Sequence, residues 1–323
     1  MAITQCENKH QWDDYVNDFG GHPLQLWGWG EVKSAHNWRA LRLTWQDDGI
    51  IKGGAQVLIR TLPGPFKRLV YLPRGPFGGL GDSATAMAEL VNYVKTEVGG
   101  ILITAEPDWA AVQWGSGWRK SANTILIPNT LILNLNNTEE ALLADMTKKT
   151  RQYIRKSERD GVTVRQIKDI AELPEVLAVY KDTAARAGFA LHGDDYYRDI
   201  FTLLGENNLL FGAYYEGALV SFVWSAISSS TAFELYGGMS VKGQELRANY
   251  ALKWHAVRKC KEWGLARYDM NGLLNDGVSA FKEGFASHKD TLAGTYDYPL
   301  SPLYSIWAKT LPWGKKVARK FKK

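Results

Sequence analysis

Apolar and polar positions follow the same order in two separate stretches of the chain. In the first stretch, apolar runs at residues 50–59 and 68–72 predict strands, and a turn rich in glycine and proline follows them. A helix capped by Ser83 is predicted next, and its apolar residues are spaced three or four apart: Met87, Leu90, Val91, Val94 and Val98. Gly99 and Gly100 end this helix, and residues 101–104 predict another strand.

The second stretch repeats this order further along the chain. Apolar runs at 209–214, 218–227 and 232–236 predict strands, a pair of glycines follows, and a helix at 249–263 precedes a strand at 266–270. Two copies of one element order indicate a duplicated unit. Acetyltransferase-like halves of the GNAT type are built in this order, so we predict a mixed α/β (α+β) fold with two such lobes in tandem.

Helical segments join the two copies. They are predicted at 138–159, 174–187 and 195–204, with start and stop signals at Thr138, Pro174 and Gly188. A chain of 323 residues exceeds the size of about 250 to 300 residues at which single cores stop growing, so two domains are expected. We place the boundary near Asn136, which gives lobes at 1–136 and 137–298.

Composition and cysteine usage favour an intracellular globular protein. The hydrophobic fraction of 45% and the charged fraction of 23% are ordinary values for a chain that folds without metals or cross-links. Cys6 and Cys260 belong to no paired or zinc-like spacing. The N-terminus shows no secretory signal, and the longest uncharged stretch, 217–233, is interrupted by Ser and Thr. We therefore expect a cytoplasmic protein without a transmembrane segment.

Positive charge is concentrated in one predicted helix. The formal net charge of +5 is mild, but at 100° per residue one line of the helix 138–159 carries Lys148, Arg151, Arg155 and Arg159. A solvated polar face usually mixes signs, and here only Glu158 interrupts the basic residues. The alternatives are a solvated face and a surface that binds a polyanion such as tRNA.

The absence of several known motifs argues against several kinds of chemistry. The chain contains no phosphate-binding loop ending in Gly-Lys-Ser/Thr, no His-Glu-x-x-His and no Gly-x-Ser-x-Gly, and its histidines are scattered, so metal and serine-hydrolase sites have no support. The segment 241–249 stands where a CoA-dependent enzyme presents backbone amides to a pyrophosphate, but it lacks the necessary glycines. CoA binding is therefore disfavoured.

Four further segments occur in order along the chain. They are Trp29-Gly30-Glu31-Val32-Lys33, the basic run from Lys149 to Val162, Thr183 and Arg186 followed by an aromatic pair, and Phe281-Lys282-Glu283-Gly284-Phe285. Together they resemble the FemABX family of peptidoglycan bridge transferases. Each pattern alone is weak, since a lone lysine such as Lys33 is usually solvated. Jointly they span nearly the whole chain.

The resemblance implies two GNAT-like lobes with the substrate in the cleft, residues 299–323 returning to the first lobe, and neither metal nor cofactor. The implied donor is aminoacyl-tRNA, and the implied acceptor is a stem-peptide amine of a nucleotide-linked or lipid-linked peptidoglycan precursor. Lys33 and Arg186 match phosphate-binding positions, Lys282 matches a lysine near the transferred acyl group, and Tyr197 and Tyr236 are expected to contact substrate. The chain lacks a long heptad segment, so no coiled-coil arm is expected, and we expect a monomer.

The chemistry itself asks little of the protein, because an aminoacyl ester is already activated toward an amine. Orientation of the two reactants can supply several kcal/mol, up to about 7 to 11 kcal/mol in well-aligned cases. Lys282 can stabilise the developing oxyanion. Glu106 or Asp108, after the predicted strand 101–104, can accept the amine proton or position the amine, although a carboxylate at a strand end is more often structural.

Other functions remain open at this point. The same scaffold can serve another amine acceptor, such as an antibiotic, lipid or exopolysaccharide component. A non-catalytic module that binds tRNA or another polyanion is a further alternative. The C-terminal sequence, with Trp307, Trp313 and a run of basic residues, suits peripheral contact with the inner membrane face, or packing of its tryptophans on the first lobe.

Overall fold

A computed structural model describes residues 1–81, 83–274 and 277–309 of the chain, which divides into two compact units. Unit 1 comprises Met1–Pro128 and the segment that begins at Thr291, and unit 2 comprises Asn129–Asp290. The first crossing of the chain from unit 1 to unit 2 therefore falls after Pro128, eight residues before the boundary predicted near Asn136. The reason is that a strand at Ile132–Asn134 pairs within the sheet of unit 2.

The elements are numbered in chain order. Those before the first crossing are β1 (Ala2–Gln5), α1 (Lys9–Asp18), α2 (Trp27–Ser34), β2 (Arg39–Asp47), β3 (Ile50–Thr61), β4 (Arg68–Pro73), β5 (Phe77–Gly78), α3 (Ala84–Tyr93), β6 (Leu102–Glu106) and β7 (Arg119–Lys120). Those that follow are β8 (Asn129–Thr130), β9 (Ile132–Asn134), α4 (Glu139–Asp145), α5 (Lys148–Arg159), β10 (Thr163–Gln166), α6 (Leu173–Ala187), α7 (Asp194–Leu203), β11 (Asn208–Tyr215), β12 (Ala218–Ile227), β13 (Thr231–Met239), α8 (Val241–Glu245), α9 (Ala248–Glu262), β14 (Arg267–Asp269), α10 (Gly277–Lys282), β15 (Asp290–Thr291) and β16 (Tyr296–Pro299). Short helical turns occur at Pro23–Gln25, Gly64–Phe66, Val94–Val98, Ile170–Glu172, Gly205–Asn207 and Glu283–Phe285.

The two larger sheets share one arrangement of strands, although the last strand comes from later in the chain in unit 1 and from earlier in the chain in unit 2. The order is β1-β2-β3-β4-β6-β16-β7 in unit 1, with β5 beside β3, and β10-β11-β12-β13-β14-β9 in unit 2. In each sheet a series of antiparallel strands is followed by one parallel pair, whose two strands are joined through a helix. In unit 1 the helix α3 joins β4 to β6, and in unit 2 the helix α9 joins β13 to β14. An antiparallel strand, β16 or β9, follows this pair. The duplicated α/β fold predicted from the apolar pattern is therefore confirmed.

The crossover helices form the cores because their apolar stripes face the sheets. All five predicted stripe residues of the first helix are buried, and they cluster with Val57, Val70 and Ile103 of unit 1. Ser83 caps α3, since its hydroxyl accepts from the Ala86 N–H at 3.1 Å. Full burial of each such side chain contributes about 1.5 to 3 kcal/mol, which is why the local pattern predicts these elements well.

The prediction of one helix over 138–159 is wrong, because the structure has two, α4 and α5. Thr147 starts the second helix, since its side-chain oxygen accepts from the Thr150 N–H at 3.2 Å. The guanidinium of Arg151 donates to the carbonyls of Leu143, at 2.9 Å, and Met146, which end the first helix. A second capping residue inside a continuous apolar pattern thus interrupts the helix.

Helix length agrees with the prediction that no coiled-coil arm is present. Leu173–Ala187 and Ala248–Glu262 are the longest helices in the described ranges, at 15 residues each, so these ranges contain no coiled-coil arm. None of the helices in the described ranges is both long enough and apolar enough to cross a membrane.

The described end of the chain packs within unit 1. Trp307 lies 5.2 Å from Phe66 between ring centroids, and Tyr304 clusters with Ile101 and Leu102. This favours the packing alternative for Trp307. Trp313 and the basic residues from Lys315 onward lie outside the described residues.

Candidate functional site

The parallel strands of unit 2 separate after a short ladder. β13 and β14 pair at only three positions, the last of them Phe233↔Asp269, and β13 then continues to Met239 beside β12 alone. In unit 1 the equivalent strands β4 and β6 remain paired up to Pro73↔Glu106. The second half of β13 is therefore open on the side where β14 would continue.

A β-bulge marks the point of separation. Trp224 of β12 pairs with Tyr236, and the next residue, Ser225, pairs with Glu234, so Leu235 is the extra residue. The side-chain amide of Asn271 donates to the Glu234 carbonyl at 3.0 Å, just beyond the last pair of the ladder. This bond holds the two strand ends at a fixed separation.

A cavity of about 620 Å³ lies at this opening, within unit 2. Three residues predicted from the sequence line it, Arg186, Tyr236 and Lys282. A larger hollow of about 1030 Å³ also lies in unit 2, but it is lined by residues such as Phe201 and Trp263 and by none of the predicted site residues. We therefore place the candidate site in the smaller cavity.

Arg186 is positioned by the docking of α6 on the end of β13. Its guanidinium donates to the Met239 carbonyl and lies 3.2 Å from the Asp182 carboxylate. The Met239 N–H donates to the Thr183 hydroxyl at 3.0 Å. Gly238 permits this close approach, because a Cβ there would lie 2.9 Å from the Thr183 hydroxyl oxygen.

Lys282 is held by the turn that follows β14. Its ammonium donates to the carbonyl of Asn271 and to that of Gly272, the latter at 3.2 Å. Both of these residues have left-handed backbones, with φ of 50° and 47°. The unusual backbone turns two successive carbonyls toward one ammonium, which fixes a cation at the cavity wall.

Tyr197, for which contact with substrate was predicted, does not line the cavity. It is 1% exposed, and its hydroxyl accepts from the His192 N–H at 3.1 Å. Its ring packs on Tyr180 and Tyr236 at centroid distances of 5.7 and 5.3 Å. Tyr236 is partly exposed in the cavity wall, and burial raises its pKa well above the ordinary value, so its hydroxyl stays neutral.

Sequence reasoning missed several polar residues of the cavity, among them Glu234, Lys253 and Asn271. Glu234 and Lys253 form a buried ion pair. A signal was present in the sequence, since Glu234 interrupts the apolar strand 232–236 and Lys253 lies beside the apolar stripe of α9. Charged residues at such positions are rarely buried without a partner.

In unit 1, Lys33 lies in a partly buried site rich in aromatic side chains. Its ammonium is 4.4 Å from the centroid of the Trp29 ring. Burial, and then the neighbouring positive charge of Arg60, lower the pKa of Lys33 to about 8. Two neighbouring cations favour the binding of an anion.

The glycine of the Trp-Gly-x-x-Lys pattern has a packing reason. Arg42 reaches under α2, where it donates to the Trp27 carbonyl at 3.0 Å and pairs with Glu31 at 2.8 Å. A Cβ on Gly30 would lie only 2.4 Å from this guanidinium. Gly30 therefore lets the helix that carries Lys33 approach the sheet.

Both oxygens of Glu106 accept hydrogen bonds, which favours the structural alternative for this carboxylate over the predicted role as a base. It is fully buried, and one of its oxygens accepts from the N–H groups of Ile125 and Leu126, both at 2.9 Å, and from the Thr295 hydroxyl. The other oxygen accepts from the Tyr71 hydroxyl at 2.5 Å. Asp108, two residues further on, is partly exposed and remains a candidate.

The basic line on α5 is divided between two roles. Arg151 is used to bind the end of α4. Lys148, Arg155 and Arg159 are exposed, and only Arg159 has an acidic neighbour among the described residues, Asp160 at 3.8 Å. The surface available to a polyanion is therefore smaller than predicted.

Comparison with known proteins places these features in context. The FemAB family model matches residues 110–218 and 219–311. The Lipid II:glycine glycyltransferase of Staphylococcus aureus strain USA300 is 21% identical over 413 aligned positions, which cover 97% of this chain and 96% of that protein. Since 413 positions exceed the 323 residues of this chain, the staphylococcal protein has segments that this chain lacks.

Solved structures share the fold over nearly the full length. The crystal structure of FemX superposes with a TM-score of 0.84 at 21% identity and covers 95% of this chain and 100% of its own. A tandem GNAT protein from the clavulanic acid biosynthesis pathway gives a TM-score of 0.54 at 10% identity, covering 93% and 99%. The fold therefore consists of two GNAT-like units. The chain belongs to the FemAB family, as its motifs indicated.

Proposed function

We propose that this protein transfers an amino acid from aminoacyl-tRNA to the stem-peptide amine of a peptidoglycan precursor. The observation that carries the proposal is the cavity at the open edge of β13, where Arg186, Tyr236 and Lys282 lie together. Family membership supports it, and the staphylococcal relatives are named as glycyltransferases that act on lipid II. The lipid-linked precursor is accordingly our first choice of acceptor.

The reaction requires positioning and charge stabilisation. The neutral acceptor amine attacks the ester carbonyl of the aminoacyl group, a C–N bond forms, and the C–O bond to the tRNA ribose breaks. The proton lost by the amine ends on the ribose oxygen that leaves. Lys282 stabilises the negative charge that develops on the carbonyl oxygen, and Lys33 and Arg186 bind precursor phosphates.

A reconstituted assay tests the proposal directly. It combines the purified full chain, tRNAs charged with one labelled amino acid at a time, and either lipid-linked or nucleotide-linked precursor. Label should appear in one precursor, and precursor with an acetylated stem-peptide amine should accept none. Absence of transfer with every charged tRNA and both precursors would refute the proposed function.

We place tRNA on the exposed part of the basic line, Lys148, Arg155 and Arg159. Affinity should fall linearly with salt on a log–log plot, and changing both Lys148 and Arg155 to alanine should flatten the slope by roughly 1.4 to 1.8, because each phosphate contact contributes about 0.7 to 0.9. The matched control changes Lys168 and Arg198, one exposed lysine and one exposed arginine elsewhere in unit 2. Equal flattening by both pairs would mean that α5 does not bind tRNA.

We also propose peripheral contact between the basic C-terminal sequence and an anionic membrane surface. Each basic residue near such a surface contributes about 1 kcal/mol, so the full chain should sediment with anionic vesicles at low salt. A chain ending at Pro312 should remain in the supernatant, and neutral vesicles serve as the control. Equal sedimentation of both chains would place any membrane contact elsewhere.

A further inference from the structure

The two oxygens of the Glu234 carboxylate differ in their hydrogen bonds. Lys253 and Tyr268 both donate to its Oε1 atom, the tyrosine at 2.7 Å. None of the described residues donates to Oε2. This oxygen is also not among the buried polar atoms that lack a hydrogen-bond partner, so it is accessible from the cavity. One oxygen is thus saturated, while the other remains able to accept hydrogen bonds in a cavity that Glu234 lines.

Stability alone does not explain this arrangement. The side chains of Lys253 and Glu234 are only 7% and 8% exposed, and removing two charges from water is costly. Apolar replacements of a buried ion pair are often neutral or stabilising. A buried pair that leaves one oxygen open beside a substrate cavity is better explained by recognition of a further hydrogen-bond donor.

We propose that Oε2 of Glu234 binds the α-ammonium group of the aminoacyl residue during its transfer. The inference rests on the proposed function, because it requires an aminoacyl donor. An ammonium group carries three N–H donors and a positive charge, which is the complement of an open carboxylate oxygen. Glu234 is therefore a binding residue for the donor.

The position of Glu234 relative to Lys282 fits this donor. In an aminoacyl ester, one carbon separates the α-nitrogen from the carbonyl carbon, so the groups that bind them must lie close together. Asn271 links the two, since its side chain donates to the Glu234 backbone and its carbonyl accepts from Lys282. Both groups line the same cavity.

The neighbours of Glu234 keep it suited to this role. Burial and the adjacent Glu234 charge hold the pKa of Tyr268 well above its ordinary value, so the tyrosine remains a neutral donor. Lys253 balances the carboxylate charge while the donor site is empty. A site built around a substrate N–H group rejects analogues that lack it, because its polar group is then left without a partner.

The test compares two donors on the same tRNA, one with the amino acid and one with the matching α-hydroxy acid, in which a hydroxyl replaces the ammonium. Each variant is expressed relative to the unmodified protein with the same donor, which cancels the difference in ester reactivity. For Glu234→Gln we expect kcat/KM to fall at least about tenfold with the amino donor and by less than about twofold with the hydroxy donor. Glu245→Gln, an exposed glutamate 3.7 Å from Lys242, is the matched control and should change neither.

Two further variants separate recognition from folding. Glu234→Gln leaves Lys253 without its counter-charge, whereas adding Lys253→Met removes both charges and should preserve the fold. The selective loss should appear with Glu234→Gln and with the double variant, and be absent with Lys253→Met alone. Equal losses with both donors would overturn the inference, as would a selective loss in Lys253→Met. If the unmodified protein transfers from no charged tRNA, the proposed function fails as well. If the unmodified protein transfers normally and Glu234→Gln loses activity equally with both donors, the inference alone is refuted.

Discussion

Replacing Lys282 by methionine should lower turnover by about 100-fold or more, while the dissociation constant of the precursor changes by less than about twofold. Removal of one preorganised donor to an oxyanion typically costs about 100- to 1000-fold in kcat. The ammonium of Lys282 is held by two carbonyls of the turn after β14, so it needs little reorganisation when charge develops on the ester. Its contribution is therefore made mainly in the transition state.

Single-turnover rates at saturating substrates measure this effect, and calorimetry measures precursor binding. Lys289→Met is the matched control, because Lys289 lies seven residues further on, is exposed, and pairs with Glu283 at 2.7 Å. Lys282→Arg should recover little activity, since a planar guanidinium does not replace a compact ammonium. Preserved turnover with weakened precursor binding would instead make Lys282 a binding residue.

Local sequence patterns predicted most of the fold because the structure rests on amphipathic elements. The stripe of α3 is buried, and the apolar runs of β3, β12 and β13 bury most of the residues that the pattern selected, although Ile50 at the start of β3 is 61% exposed. The interruption between α4 and α5 was missed, although Thr147 carried the signal of a helix start. An apolar pattern that continues across a capping residue hides such a break.

The candidate site was only partly accessible from the sequence. Arg186, Tyr236 and Lys282 were found through motif resemblance, and the structure brings them to one cavity. The opening itself depends on where a parallel ladder ends, at Phe233 and Asp269, and on a bulge at Leu235. Neither has a local signal, because both are set by pairing between residues far apart in the chain.

The roles of two carboxylates, Glu106 and Glu234, were also not accessible from the sequence. Glu106 was singled out for its place at a strand end, but backbone N–H groups from residues 125 and 126 saturate one of its oxygens. Glu234 was overlooked inside an apolar strand, and it opens into the cavity. Whether a carboxylate is structural or functional depends on which donors the folded chain brings to it.

Precursor affinity should fall as the pH rises through about 8, and Lys33 should account for the fall. Burial and the nearby Arg60 lower the pKa of Lys33 from 10.5 to about 8, so the ammonium is mostly charged at pH 7 and mostly neutral at pH 9.5. A bound phosphate favours the charged form and raises this pKa. Affinity therefore declines between the pKa values of the free and bound protein, by up to tenfold per pH unit.

Calorimetric titrations from pH 6.5 to 9.5 would measure this decline, with Lys33→Arg as the control. Arginine stays charged throughout this range, so the variant should show a nearly flat profile. Arg60→Gln should move the decline to higher pH, because it removes the positive charge that helps lower the pKa of Lys33. The same group also affects folding: the unfolded chain binds the Lys33 proton more tightly, so the stability of unit 1 should rise with pH between about 8 and 10.5. An identical decline in Lys33→Arg would assign the titration to the precursor or to another residue, and would remove Lys33 from the phosphate site.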